Sequence, residues 1–331
     1  MPKTKFLTVM GIDSLWPRIL KAEGDEFIVD NVDVNTVFVD AQVMLMKSKV
    51  PEWMTTWKQF AQFNFERHVT TLHRKFSTVI LSFDNYEKVP EYKGIEQSLR
   101  SQKSKSCFKY EMGDDIPRGP PKQDIWVQAL QNRFYKTTVI SIISRIIASD
   151  YKPEVRPRTL VIDYVNVVRI DFLHFDVKRQ VMQEMNELGE SDVKFLRYTS
   201  LFGDILVESI DSDCILISML HVQRHNFEVK VYIKRYKSTS IDGEDEGGNE
   251  TTKKRKRDGK RKALEYEILD VCALLAMMQT AVIQAIGPEI HIQRMHMTKL
   301  LVAQMLLTGT YCSNNNLAFC SEPFLMQPVM R

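Results

Sequence analysis

Four short runs of β-branched and apolar residues, each closing on a carboxylate, constrain this chain more than any other feature. They are TVFVD at residues 36–40, TVILSFD at 78–84, TLVID at 159–163 and ILVESID at 205–211. Each run is nearly continuous in hydrophobicity. A strand with one wet face alternates, whereas an unbroken run belongs to a strand buried on both faces. Segments of helical period lie between them, at residues 53–72, 123–149, 176–188 and 191–201. The first carries apolar Trp53, Trp57, Phe60, Ala61 and Phe65 and then basic Arg67, His68, His73, Arg74 and Lys75. Strands alternating with helices predict an α/β fold with a parallel sheet and helices on both faces. Ligands in such sheets sit beyond the carboxyl ends of the strands. Asp40, Asp84 and Asp211 stand at those ends, and residues 214–219 continue apolar past the fourth run.

The segment GESDVKFLRYTSLFGDILVESIDSD, residues 189–213, holds two acidic pairs with one residue between members. Glu190 and Asp192 open a helix, whose N-terminal dipole tolerates carboxylates. Asp211 and Asp213 lie just past a strand. With Asp40 and Asp84, six carboxylates are candidates to converge. Bare like charges at short range repel and push one another's pKa up. Divalent cations relieve this, and hard oxygen ligands suit Mg²⁺ or Mn²⁺. Two such ions can serve the attacking and leaving oxygens of an in-line phosphodiester displacement. Singly, each acid reads more readily as a helix cap or turn residue than as a ligand, so the expectation rests on the four stations in order.

The rest of the chain supplies boundaries. Residues 237–262 are polar, acidic first and basic after, with nothing apolar to bury, and are expected to be disordered. The basic run Lys253, Lys254, Arg255, Lys256, Arg257, Lys260, Arg261 and Lys262 is a nuclear-import candidate, the alternative being a solvated loop. Residues 264–289 read as one apolar helix broken at Gly287-Pro288, and residues 290–307 as another. The expected organisation is a core over 1–236 including a region at 85–150, the insertion 237–262, and a helical part over 263–331 that completes the domain. No apolar run reaches the roughly 18 residues of a membrane span, and the N-terminus has no secretory pattern. No phosphate-loop motif for ATP occurs. The five scattered cysteines read as reduced thiols.

At these stations the chain resembles the flap endonuclease family of structure-specific 5′ nucleases. MGIDSLWPRIL at residues 10–20 resembles the family's opening, with Gly11 near the substrate end. VFVDAQ, with Asp40, and VILSFDNYEKVP, with Asp84, resemble its first two metal-binding strands. GESD is similar to its Gly-Glu-Ala-Glu motif, and SIDSDC to its Glu-Asp-x-Asp-Cys motif. The resemblance implies that Asp40, Asp84, Glu190, Asp192, Asp211 and Asp213 hold two Mg²⁺ or Mn²⁺ ions. It implies that Lys93 and Arg100, seven apart on one helix face, meet the scissile phosphate; a solvated face is the alternative. It implies an arch within residues 85–150 and DNA with a 5′ flap or 5′ end as partner, RNA remaining open. A nuclear or viral replication-site location follows from the basic run.

The chain also departs from the family. LDVCALL at residues 269–275 resembles its C-terminal pattern, yet the ligand position falls at Met278, where no acid stands. Asp163, Asp204 and Asp270 are the candidate substitutes. The duplex-gripping hairpin is represented only by Ile286-Gly287-Pro288, and ten residues precede Gly11. The expected activity is metal-dependent hydrolysis to a 5′-phosphate. The rivals are a 5′→3′ exoribonuclease and a nuclease-like protein that binds nucleic acid without cutting.

Overall fold

The structure is a computed structural model that describes residues 26–86, 88, 108–183, 189–209, 213–236 and 266–286; the side chains of Asp192, Asp213, Tyr236 and residues 281–286 lie outside the description. The chain is mixed α/β, built on a nine-stranded sheet that is partly parallel. The strands are β1 (Ile28–Val29), β2 (Thr36–Asp40), β3 (Thr78–Ser82), β4 (Arg158–Asp163), β5 (Val167–Phe172), β6 (Val177–Val181), β7 (Ile205–Glu208), β8 (Val231–Tyr236) and β9 (Tyr266–Asp270). Their spatial order is β1-β9-β8-β7-β2-β3-β4-β5-β6. The central block β8-β7-β2-β3-β4 is parallel, and β1, β5, β6 and β9 pair antiparallel at the two edges.

All four acid-terminated runs fall in that block. β2 and β3 are buried at every position, as their unbroken hydrophobicity requires. Successive side chains go to opposite faces, so Val37, Val39, Val79 and Leu81 enter one core while Phe38 and Ile80 enter the other. The first face is covered by α1 (Ala41–Lys47), α2 (Trp57–Ala61), α3 (Arg67–His73), α4 (Gln123–Gln131) and α5 (Arg133–Asp150). The second is covered by α6 (Ser191–Phe202), α7 (Asp213–Arg224) and α8 (Val271–Ile286). Helices therefore flank both faces. Among the described residues no helix is long and apolar enough to cross a membrane.

Several local expectations are corrected. The helix expected over 176–188 is strand β6 where it is described, because Val177 and Val181 mimic a helical spacing in a chain that turns back on β5 as a hairpin. The helix expected from residue 264 begins at Val271. Before it, Tyr266–Asp270 pairs β8 on one side and β1 on the other, and Asp270 then accepts the Ala273 amide at 3.0 Å. The apolar residues 214–219 lie in α7. The segment 123–149 is two helices, because the Asn132 side chain takes the Tyr135 amide at 3.0 Å and starts α5 afresh. The first long helix starts only at Trp57, where Thr56 and Gln59 form a capping box. It then passes through a π turn at Gln62–Glu66 between α2 and α3.

Candidate functional site

β2 is where the topology reverses. From β2 the chain proceeds through β3 to β4 on one side and later returns to β7 and β8 on the other. α1 leaves β2 on the first face and α7 leaves β7 on the second. The loops diverge and leave a crevice beyond the carboxyl ends of β2 and β7, the place where open α/β sheets bind ligands.

Asp40 ends β2 and caps α1. Its Oδ1 accepts from the Gln42 and Val43 amides at 3.0 and 3.3 Å, and Ser209, just past β7, donates its hydroxyl to Oδ2 at 3.5 Å. Asp84 stands two residues beyond β3. Its Oδ1 accepts the Ser191 amide at 2.9 Å, the Asn85 amide donates to the Gly189 carbonyl at 2.6 Å, and the Ser191 hydroxyl donates to the Ser82 carbonyl at 3.2 Å. The GESD segment is thus fastened to the end of β3, with Glu190 as the N-cap of α6. Asp192 and Asp213 lie in the first turns of α6 and α7.

Among the described residues no group of three or more His, Cys, Asp or Glu side chains stands close enough to hold a metal ion. Asp40, Asp84 and Glu190 are the described members of the six candidates. The side chains of Asp192 and Asp213, and the whole of Asp211, lie outside the described residues, as do Gly11, Lys93, Arg100 and the basic run Lys253–Lys262. The donor set itself, carboxylate oxygens on adjacent strand ends, has the hardness that Mg²⁺ or Mn²⁺ requires.

The three proposed substitute acids have other work. Asp163 is sealed in a network in which Lys194 Nζ reaches it at 2.8 Å, Tyr198 donates to it at 2.7 Å and Lys194 also donates to the Phe83 carbonyl at 2.7 Å. Burial pushes this carboxyl up, against Lys194 and Tyr198, which hold it down. Asp204 precedes β7 and accepts the Lys230 amide at 2.8 Å, at the opposite rim of the sheet. Asp270 ends an antiparallel strand opposite Tyr232, near the start of β8, and is also at that opposite rim. Met278 is buried in the apolar core of the second face.

Cations stand at the acidic rim that sequence reasoning did not find. Lys136, on α5, places its ammonium 4.2 Å from the centre of the Tyr86 ring, and Tyr86 donates its hydroxyl to Asp84 Oδ2 at 3.4 Å. Arg133, one turn earlier, donates to the Tyr86 carbonyl at 2.8 Å. Burial lowers Lys136 to about 8 although Asp84 acts to raise it. Burial and Asp84 both raise the Tyr86 phenol, which stays protonated. One signal was available: Lys136 precedes Val139, Ile140, Ile143 and Ile147 at helical spacing, so a lysine interrupts the buried stripe of α5.

Beside Asp40, a cleft of about 310 Å³ runs between α1, the π turn and the end of β7. At its base Glu208 receives His68 Nε2 at 2.8 Å and Lys234 Nζ at 2.8 Å. Burial works to raise its carboxyl, and His68 and Lys234 together outweigh that and bring it to about 2. The three residues are distant in sequence, and no motif joins them.

No protein-family model and no curated protein sequence matches this chain.

Proposed function

We propose that the chain is a metal-dependent, structure-specific 5′ nuclease built on a parallel-block α/β domain, acting on DNA with a 5′ flap or 5′ end. The observation that carries this reading is the Ser191–Asp84 hydrogen bond at 2.9 Å. It ties the acidic helix start at Glu190 and Asp192 to the acid that follows β3, next to Asp40 on β2. The helix start after GESD is thereby fastened beside the end of β3, the strand next to β2, and the fourth station follows β7, the other neighbour of β2; the described Asp40, Asp84 and Glu190 carboxylates do not themselves stand close enough to hold an ion.

In this reading Asp40, Asp84, Glu190, Asp192, Asp211 and Asp213 hold the cations. Bound there, Mg²⁺ or Mn²⁺ supplies Lewis-acid charge and lowers the pKa of coordinated water. Asp40 and Asp84 are fixed before substrate arrives, because each has one oxygen committed to backbone amides. Lys136 and Arg133 add positive charge on the Asp84 side, where a phosphate with developing charge gains from a fixed cation. Lys93 and Arg100 are further candidates for that phosphate. The product end is a 5′-phosphate.

A second reading, a nuclease-like protein that binds nucleic acid without hydrolysing it, draws on one observation. Met278 is buried among apolar residues where the family pattern has an acid, and Asp163, Asp204 and Asp270 are engaged elsewhere. One experiment separates the readings. A labelled 5′-flap duplex, its single strand and an RNA copy are incubated with protein in Mg²⁺, Mn²⁺ or EDTA, beside Asp84→Asn. Metal-dependent cutting of DNA lost in Asp84→Asn supports the nuclease. Cutting of RNA alone moves the substrate to RNA. Flap binding by folded protein with no cutting in either metal supports the second reading.

A further inference from the structure

β6 closes one edge of the sheet, and among the described residues it pairs with β5 alone. The backbone of an antiparallel strand points alternately toward and away from its neighbour. At the turn the Leu173 amide donates to the Asp176 carbonyl at 2.9 Å, and at the far end the Met182 amide donates to the Val167 carbonyl at 2.8 Å. Counted from either end, Lys178 and Gln180 turn their backbone groups to β5. Val177, Arg179 and Val181 turn theirs outward. The Val177 amide is taken by the Asp176 carboxylate at 2.7 Å. The Arg179 and Val181 amides and the carbonyls of all three residues have no partner among the described residues. They form the row that a further strand can use.

The side chains decide what that strand carries. Lys178, Arg179, Gln180 and Val181 are exposed, Val181 to 53%. Leu173 and Phe175 are exposed at the turn, Phe175 wholly. A basic centre therefore lies between apolar ends. The cross-strand acid, Asp171, is held by Arg169 at 3.0 Å and by the Thr159 hydroxyl at 2.7 Å, so it does not neutralise Lys178. Arg179 donates to the Ala148 carbonyl at 3.2 Å. Neither cation makes an ion pair among the described residues. A second copy paired antiparallel in full overlap would set Arg179 against Arg179, and like charges directly opposite destabilise. A phosphodiester strand brings acceptors but no backbone donors, so it would leave the Val177, Arg179 and Val181 carbonyls unpaired. An extended peptide brings both at the spacing of the row, and carboxylates on it meet Lys178 and Arg179.

We infer that β6 is a docking edge for an extended, acidic-centred segment of a partner protein, which adds a strand to the sheet. Carboxylates of that segment stand opposite Lys178 and Arg179, and an apolar residue meets Val181. The backbone row supplies affinity and the two cations choose the partner. The inference goes beyond the nuclease reading and does not rest on it, because β6 stands four places from β2 in the sheet.

The test titrates the whole protein with the peptide SVTEEVTS, its charge-reversed copy SVTKKVTS and its proline copy SPTEEPTS, followed by fluorescence anisotropy and by residue-resolved amide hydrogen exchange. The variants are Lys178→Glu/Arg179→Glu and Val181→Pro. The first changes two exposed side chains. The second removes one outward amide and keeps the ladder to β5, since proline is tolerated on an edge strand. Saturable binding of SVTEEVTS is expected, weaker by about ten-fold in the double charge variant, which prefers SVTKKVTS instead. Binding should weaken in Val181→Pro as well. The Arg179 and Val181 amides should exchange freely in the protein alone and become protected on binding, whereas the Lys178 and Gln180 amides are protected throughout. No binding by folded protein up to about 5 mM peptide, or equal binding of SPTEEPTS or SVTKKVTS, overturns the inference. So does protection of the Arg179 and Val181 amides before any peptide is added, which means that the chain itself or a second copy covers the edge. Displacement of the peptide by a single-stranded oligonucleotide that leaves both amides unprotected assigns the cations to nucleic acid and overturns it too.

Discussion

Replacing Lys194 by methionine tests how the acidic stations are held together. Lys194 and Asp163 are almost sealed from solvent, with side chains 2% and 3% exposed and 2.8 Å apart. The same ammonium donates to the Phe83 carbonyl, one residue before Asp84. Methionine leaves the Asp163 carboxyl with Tyr198 as its remaining partner among these bonds, and it leaves the Phe83 carbonyl without this donor. Breaking a buried pair by removing one partner costs about 3–5 kcal/mol. An orphaned buried carbonyl adds about 1–3 kcal/mol, partly offset because Asp163 then takes up a proton. A loss of about 4 kcal/mol is therefore expected, a large share of the roughly 5–15 kcal/mol of an ordinary domain. Burial already raises the Asp163 carboxyl in spite of its two partners, so the pair does not fully compensate its own desolvation. The double variant Lys194→Met/Asp163→Leu should accordingly recover most of the loss. Urea denaturation followed by far-ultraviolet circular dichroism, with the single variants completing a cycle, measures both quantities. A Lys194→Met midpoint shift worth less than about 1 kcal/mol, or a double variant no better than the worse single, refutes the reasoning.

Four further outcomes are expected. Asp40→Asn keeps the cap of α1 and its stability, while Asp40→Ala loses about 1 kcal/mol; both abolish metal-dependent cleavage, so calorimetric melting and the flap assay separate the two roles of one carboxyl. Burial lowers His73 and His221 to about 4 from 6.5. The unfolded chain then binds more protons between pH 6.5 and 4, stability falls as pH drops through that window, and His73→Gln makes the fall shallower in pH-resolved denaturation. The Glu208 carboxyl, at about 2 against 4.5 unfolded, contributes on the order of 3 kcal/mol above pH 4.5 that is lost as pH falls toward 2; Glu208→Gln should flatten that acid limb, and an unchanged limb rejects the ion-paired assignment. Lys136→Gln should weaken binding of single-stranded DNA by several-fold in fluorescence anisotropy, more at low salt than high, whereas equal binding at low salt places Lys136 outside the interface.

Much of the central sheet was legible in order. TVFVD, TVILSFD, TLVID and ILVESID all became strands of the parallel block, because a strand buried on both faces must be apolar at every residue and the signal is local. The helix start after GESD was legible for a similar reason. The edge strands were not. β6 reads VKRQV with most of its side chains exposed, and only its pairing to β5 makes it a strand. β9 is contiguous in sequence with a long apolar helix, and only β8 and β1 separate the two.

The sequence by itself determined which residue types stand at or just past the strand ends: carboxylates at Asp40, Asp84 and Asp163, and the helix-starting pair at Glu190 and Asp192. Only the tertiary structure decided which of them share a rim and which are spent. It joined Asp84 to Ser191 across 107 residues, buried Asp163 against Lys194 and Tyr198, and turned Asp270 to the far edge through an antiparallel strand. It brought Lys136 to Tyr86 and His68 and Lys234 to Glu208. The physical reason is that hydrophobic period is written along the chain, whereas the pairing of charges depends on strand order and crossover side, which fix which distant residues meet.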